Sequence, residues 1–233
     1  MISIIVPVLN EEKGIGSLLS YLHQNAQTPN DIELIVVDGG SSDATIANVN
    51  AYLGTIPGLA LYTSGKGRAR QMNAGAQHAK GDILYFLHAD SYPPRHYDHH
   101  IRAQINSGNS AGCFRMKFDS GHWWLRLAGW LTRFRWRACR GGDQSLFISK
   151  RLFEEIGGYN ESYIIYEDNI LINELYSREQ FVVIPQWLTS SARKYRNNGI
   201  CSLQYHFWMI YIKKWLGASP EALHRYYKKH IVS

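Results

Sequence analysis

Cysteine is scarce in this chain, and what there is does not pair. Cys113, Cys139 and Cys201 are an odd number, far apart, with no CxxC spacing. That excludes a disulfide framework and a cysteine zinc site, and it suits a reducing compartment. Long apolar runs are missing as well: stretches such as residues 207–212 fall far short of the roughly 20 residues of a membrane span. The chain opens directly on Ile2-Ser3-Ile4-Ile5-Val6, without a charged n-region, a long apolar h-region or a cleavage site. No secretory signal is read, and the default expectation is a cytoplasmic protein. The Gly-Lys-Ser/Thr of a P-loop is absent, and no GxGxxG follows the first strand-like run, which disfavours a dinucleotide-dependent oxidoreductase. Repeats, low-complexity tracts and obvious linkers are lacking too. The expectation is one continuous domain over residues 1–198, with a basic helical tail over 199–233 packed on it.

Acidic residues are the minority charge. Nineteen Asp and Glu face 25 Lys and Arg, a formal +6 with pI near 9.2, in 233 residues that are 45% hydrophobic. So much apolar material rules out a disordered chain, and a basic balance favours nucleic acid, anionic lipid or phosphorylated substrates. The distribution narrows this. Residues 115–140 hold seven cations and one acid (Asp119), and residues 193–233 hold eight cations and one acid (Glu221), which leaves the remainder at −7. The body is therefore acidic, with two basic segments rich in Trp and Tyr.

Short runs rich in Ile, Val, Leu and aromatics at residues 2–8, 32–37, 59–63 and 83–88 predict buried strands, and helical spacing predicts helices over 11–24, 42–53 and 68–79. Ser42 is placed to cap the second helix. Alternating strand and helix imply an α/β fold with a parallel sheet and right-handed crossovers, whose ligands bind beyond the carboxyl ends of the strands. Further on, strands are expected at 111–118, 145–149 and 181–184, and helices at 122–136 and 167–178. Two tail helices are expected within 200–229, split before Pro220, with Ser219 as cap.

Polar residues follow the early strands: Asn10-Glu11-Glu12, Asp38-Gly39-Gly40-Ser41-Ser42-Asp43 and His88-Ala89-Asp90. An Asp after a strand can accept from a ribose or base edge, or simply cap a turn. His88 and Asp90, two apart on an extended segment, share a face and can ligate a divalent cation; the carboxylate suits Mg²⁺ and the imidazole Mn²⁺. Gly65-Lys66-Gly67-Arg68-Ala69-Arg70 precedes a helix and reads as an anion loop or an ordinary basic loop. Glu167 and Asp168 open a helix, where carboxylates also favour the dipole.

Taken in order, Pro7-Val8-Leu9-Asn10-Glu11-Glu12, Asp38 before Gly-Gly-Ser-Ser-Asp, and Asn73-Ala74-Gly75-Ala76 resemble the family 2 glycosyltransferases of GT-A fold. Lys80-Gly81-Asp82 leading to His88-Ala89-Asp90, Gly142-Asp143-Gln144 and Glu167-Asp168 extend the resemblance over about residues 2–196. Gly-Arg-Ala-Arg-Gln-Met-Asn, Gly-Asp-Gln and Ser191-Ala192-Arg193 resemble a compact bacterial subgroup, the radical-SAM/selenodomain-associated transferases. The resemblance implies a mixed, mainly parallel sheet with flanking helices. It implies that Pro7, Asn10 and Glu11 frame the nucleotide, with Gly40, Arg68, Arg70, Asn73 and Ala89 also on the donor side, and that Asp38 reads the base, usually uracil. Asp90 would hold Mn²⁺ or Mg²⁺ on the diphosphate, with His88 where the family has its first Asp. Asp168, beside Glu167, would be the base of an inverting transfer from a nucleotide sugar, a UDP-sugar first among them. Asp143, Gln144 and Arg193 would meet the donor sugar or the acceptor, although Asp143 reads equally well as a turn residue. A sugar-nucleotide-binding protein without catalysis is the alternative, since His88 departs from the family pattern.

The basic aromatic segments admit three readings. Their aromatics pack helices on the core while the cations stay solvated, or they lie on anionic lipid at the inner face of a membrane, or they meet a phosphorylated or lipid-linked acceptor. Nucleic acid is not expected, because no recognised nucleic-acid module accompanies them.

Overall fold

The computed structural model describes residues 1–141 and 144–231. Eight strands form one sheet in the order β3-β2-β1-β4-β7-β6-β8-β5. They are β1 (Ile2–Val8), β2 (Ile32–Asp38), β3 (Leu59–Thr63), β4 (Ile83–Phe86), β5 (Ser91–Tyr92), β6 (Ala111–Phe118), β7 (Leu146–Ser149) and β8 (Val182–Ser190). The helices are α1 (Ile15–Asn25), α2 (Thr45–Asn50), α3 (Arg68–His78), α4 (Tyr97–Asn106), α5 (Trp123–Leu131), α6 (Lys150–Ile156), α7 (Glu167–Ser177), α8 (Arg193–Asn198), α9 (Ile200–Trp215) and α10 (Pro220–His230). The first four strands are mutually parallel, as their alternation with helices requires. β4, β7 and β6 then alternate in direction, β6 and β8 run parallel, and β5 closes the sheet antiparallel.

Every residue of β1 and β2 is buried, because helices cover both faces of this half of the sheet. One face packs Ile15, Leu18, Leu19 and Leu22 of α1 against Ile4, Val6 and Val36. The other receives Ala69, Met72 and Ala76 of α3 against Ile5, Ile35 and Val37. Gly75 lets α3 approach: a Cβ there would lie 2.4 Å from Ile5 Cγ2. β3, expected to be buried, is only half-buried because it is the sheet's edge.

Several expected elements are shorter, for local reasons. α1 starts at Ile15 rather than residue 11, since the amides of Glu11 and Glu12 donate to Thr45 Oγ1 and Asp43 Oδ2 instead. Ser42 does not cap α2; its amide donates to Asn10 Oδ1, and Asp43 Oδ1 accepts from Thr45 N. α5 stops at Leu131, where the Thr132 hydroxyl bonds Gly129 O and Met116 N. Beyond it, the buried Arg140 guanidinium donates to the carbonyls of Thr132 and Phe134. β8 is longer than its apolar run. Its pairing with β6 jumps from Phe114↔Ile184 to Arg115↔Trp187, so Pro185, which has no N–H to give, sits in a bulge. α10 begins as expected, with Ser219 Oγ accepting from Ala222 N and Pro220 at its first position. The tail helices α9 and α10 pack Leu203, Ile210 and Leu223 against Leu125, Ile165 and Tyr195.

Candidate active site

The loops after β1 and β2 are laced together beyond the carboxyl ends of the strands. Asn10, held at φ +56°, donates its amide to Ser41 Oγ (2.9 Å) and accepts from Ser42 N (2.8 Å). Asp38 is buried, and its carboxylate accepts from Gly40 N (2.8 Å) and Ser41 N (3.0 Å). Gly40 supplies the positive φ (+94°) that this turn needs. Gln71 of α3 bridges the two strand ends, donating from Nε2 to Val8 O and Val37 O at 2.8 Å each. Gln71 falls within the Gly-Arg-Ala-Arg-Gln-Met-Asn motif, but a buried amide has no periodic signature that would assign it this bridging role.

A cavity of about 450 Å³ opens beside these loops. Pro7, Glu11, Arg68, His88, Ala89, Asp90 and Arg193 line it, so seven sequence-nominated residues from β1, α3, β4 and the β8–α8 corner meet there. Lys66 and Gly67, from the basic loop, line it as well. β4 ends at Phe86, so His88-Ala89-Asp90 is not the extended segment expected. It is a turn closed by Ser91 N donating to His88 O at 3.1 Å, and His88 and Asp90 still line the same cavity. The far wall was missed by sequence reasoning: Lys194, Tyr195, Asn197 and Asn198 from α8, Phe207 from α9 and Tyr227 from α10. Lys194 Nζ donates to Tyr227 Oη at 2.6 Å, tying the tail to this wall.

Arg193 Nη2 contacts both Glu11 carboxylate oxygens, at 2.7 and 3.0 Å, joining residues 182 apart in sequence. The hydrogen bond to Glu11 raises the Arg193 pKa; burial opposes this, and the charges of Glu11 and Asp90 add to it. Glu11, Asp90 and Arg193 also line a second hollow of about 210 Å³, with Asp119, Tyr92 and Ser191. There the Asp119 carboxyl is held below its ordinary value. Burial raises it, but hydrogen bonds from Arg196 and Ala192 N outweigh burial.

Glu167 and Asp168 open α7 directly after Tyr166, whose φ of +73° is uncommon for an aromatic residue. Glu167 is fully buried with Arg68 Nε 2.8 Å from its Oε1, and Asp168 is 8% exposed. Neither is among the cavity-lining residues; the carboxylate of Glu167 lies behind Arg68, which is. Burial pushes the Tyr159 hydroxyl pKa well up, and the Asp168 and Glu167 charges push it further.

The remaining nominated residues lie elsewhere. Asn73 holds the backbone of Tyr159 through both amide atoms and contacts Glu161. Arg70 faces solvent, 3.7 Å from Glu161. Gln144 is buried, accepting from Arg140 and donating to Cys139 O, and does not line the cavity. Asp143 and Gly142 lie outside the described residues.

Part of the first basic segment is built into the fold. Arg115 stands over Trp187, Arg135 donates to Phe181 O, Arg137 to Asn169, and Arg140 is buried. Lys117, Arg126 and Arg133 of the same segment remain exposed.

The family model described as glycosyl transferase family 2 matches residues 3–160. The chain belongs to glycosyl transferase family 2. It is 35% identical over 94 residues to the dodecaprenyl-phosphate galacturonate synthase of Rhizobium johnstonii, covering 38% of this chain and 28% of that protein. The chain spans 28% to 56% of the length of the first curated relatives it matches. Its fold resembles S. aureus TarS 1-349 in complex with UDP (TM-score 0.69, 20% identity, covering 82% of this chain and 60% of that one). It also resembles the mannosyltransferase PcManGT from Pyrobaculum calidifontis in complex with GDP-Man and Mn²⁺ (TM-score 0.66, 19% identity, 97% and 69%). The mixed sheet flanked by helices is thus the GT-A architecture.

Proposed function

We propose that the chain transfers a sugar with inversion from a nucleoside-diphosphate donor, a UDP-sugar first among the candidates, to a phosphorylated, lipid-linked acceptor. The observation that carries this is the meeting of Pro7, Glu11, Arg68, His88, Ala89 and Asp90 with Lys66 around one cavity at the carboxyl ends of β1 and β4. Acidic Glu11 and Asp90 and basic Lys66, Arg68, Arg193 and Lys194 line that cavity together, which suits a diphosphate with a cation. The printed names of the relatives support the two ends of the reaction: UDP and GDP-Man on the donor side, a dodecaprenyl phosphate on the acceptor side.

Among the described residues no three His, Cys, Asp or Glu side chains cluster as a ready-made metal cage. The donor set fits a cation shared with substrate: Asp90 and His88 line the same cavity, and Mg²⁺ or Mn²⁺ held by one or two protein groups takes its other ligands from phosphates and water. Asp90, with His88, would hold it, and when bound it would neutralise charge developing on the leaving diphosphate. Arg68 and Lys66 add fixed positive charge on the same wall. The acceptor hydroxyl oxygen bonds to the anomeric carbon, the bond from that carbon to the diphosphate oxygen breaks, and the hydroxyl proton passes to a carboxylate. Asp168 is the candidate for that base. Arg68 sits against the buried carboxylate of Glu167, next to Asp168, and offsets its charge.

Titration calorimetry with UDP, with and without Mn²⁺, tests the reading. Metal-enhanced binding is expected, and binding of NAD in place of UDP overturns it. The burial of Glu167 and Asp168 favours, as a second reading, a sugar-nucleotide-binding protein without turnover. Release of UDP from UDP-sugars in the presence of lipid phosphates separates the two.

A further inference from the structure

Among the described residues, nine of the eleven exposed large hydrophobic side chains fall within residues 123–136 and 205–216. In α9 they form a stripe: Tyr205, Trp208, Ile212 and Trp215 follow one another at steps of three and four, Trp215 is 85% exposed, and exposed Leu216 caps the helix end. The opposite face of α9 is apolar too, with Leu203 and Ile210 buried in the core. A helix with apolar residues on two opposite faces is normally covered on both; here one of them is open. α5 repeats the pattern with Trp123, Leu127 and Trp130 exposed. The two helices adjoin through Trp124, whose ring meets Trp208 edge-on at 6.0 Å and whose Nε1 donates to Gln204.

We infer that this α5–α9 face docks on the surface of an anionic lipid bilayer. Charge decides the occupant. Neither helix contains an acidic residue. Exposed Arg126 lies one turn from both Trp123 and Trp130, and Arg133 stacks on Trp130 at 4.9 Å. A second copy of the same face would bring these cations against one another, whereas anionic headgroups complement them. Exposed tryptophan and tyrosine among cations suit the boundary between headgroups and acyl chains, where a ring can be half wet and half dry. The placement relative to the cavity agrees. Phe207, the residue before Trp208, lines the cavity, as does the exposed Ile164, so a docked face sets that opening beside the bilayer. The docking rests on the surface alone and not on the transfer reading.

Flotation of the full chain with phosphatidylcholine vesicles, with and without phosphatidylglycerol, tests it at low and physiological salt. The wild type is expected to float with the anionic vesicles, with a blue shift of tryptophan emission. Trp208→Glu/Trp215→Glu should lower vesicle partitioning by about tenfold or more, while its thermal unfolding and its UDP titration match the wild type. Arg126→Ser/Arg133→Ser should reduce the preference for phosphatidylglycerol. A wild type that stays at the bottom with anionic vesicles at low salt overturns the inference, as does a double tryptophan variant that floats unchanged. A wild type that sediments as a dimer and becomes monomeric in the tryptophan variant assigns the face to a second copy instead.

Discussion

Strands β3, β2, β1 and β4 run parallel, and β1 and β2 are buried along their whole length. Strands β7, β6, β8 and β5 mix directions, and the β6–β8 pair carries a bulge. The two halves also supply different things to the cavity. The parallel half delivers loops fixed by their own hydrogen bonds, with Asp90, His88 and Arg68. The mixed half delivers the α8 wall, and the buried Glu167–Asp168 pair at the start of α7 stands behind Arg68. Under the proposed reaction this contrast is a division of labour, with the first half assigned to the donor and the second half to the acceptor and the proton transfer.

The sharpest way to break that division is Asp168→Asn. Turnover should fall by about a thousandfold, the order expected of a lost general base, while donor affinity stays within a fewfold. A product assay beside calorimetry reads both. Full turnover in this variant removes the second half from the chemistry. Asp90→Ala is the converse, on the first half: metal-dependent UDP affinity should weaken by about tenfold or more, and metal-free affinity should barely move.

Two further substitutions probe the ties between distant segments. Asp98 of α4 accepts from Gln27 N (2.7 Å) and from Thr28 N (2.9 Å) and Thr28 Oγ1 (2.7 Å). Burial raises its pKa, but those hydrogen bonds outweigh burial and set it below the ordinary value. Its stabilisation is therefore complete above the unfolded carboxyl value of about 4 and is lost as pH falls through the lower folded value. Asp98→Asn should cost about 2 kcal/mol at neutral pH. Urea midpoints at pH 7 and pH 3 should differ less for the variant than for the wild type. The smallest effect is expected for Glu11→Gln at the half-exposed Arg193 contact, less than about 1 kcal/mol in thermal unfolding. A larger loss would make that link a structural seam.

Legibility followed the same divide. The parallel half could be read because a strand buried on both faces is a continuous apolar run with a helix on either side, and residues 2–8 and 32–37 are such runs. The acids after those runs pointed to the sheet edge where the cavity lies. Element ends were harder, since they depend on partners from another loop: Glu12 pairs with Asp43, and Thr132 with Met116. The α8 wall was hidden for a related reason. Lys194 and Tyr227 come together only through tertiary packing, and no local pattern announces it. Asn73, expected on the donor side, and Gln144, expected at the donor sugar or the acceptor, spend their amides on Tyr159 and on Arg140 and Cys139. An amide that suits a ligand suits a buried carbonyl equally well.

The bulge at Pro185 has a consequence for chain length. Pro185 and Gln186 are two unpaired residues, an even number, so the strand keeps its phase, and Ile184, Leu188 and Ser190 all remain buried. Deleting one of them would turn Leu188 outward and its neighbours inward. Deleting both would keep the phase but shorten the strand by roughly 6.5 Å, which would draw Ser191 and Arg193 back from Glu11. The spacing between residues 184 and 188 therefore acts as a ruler, setting how far the second half of the chain reaches toward the first.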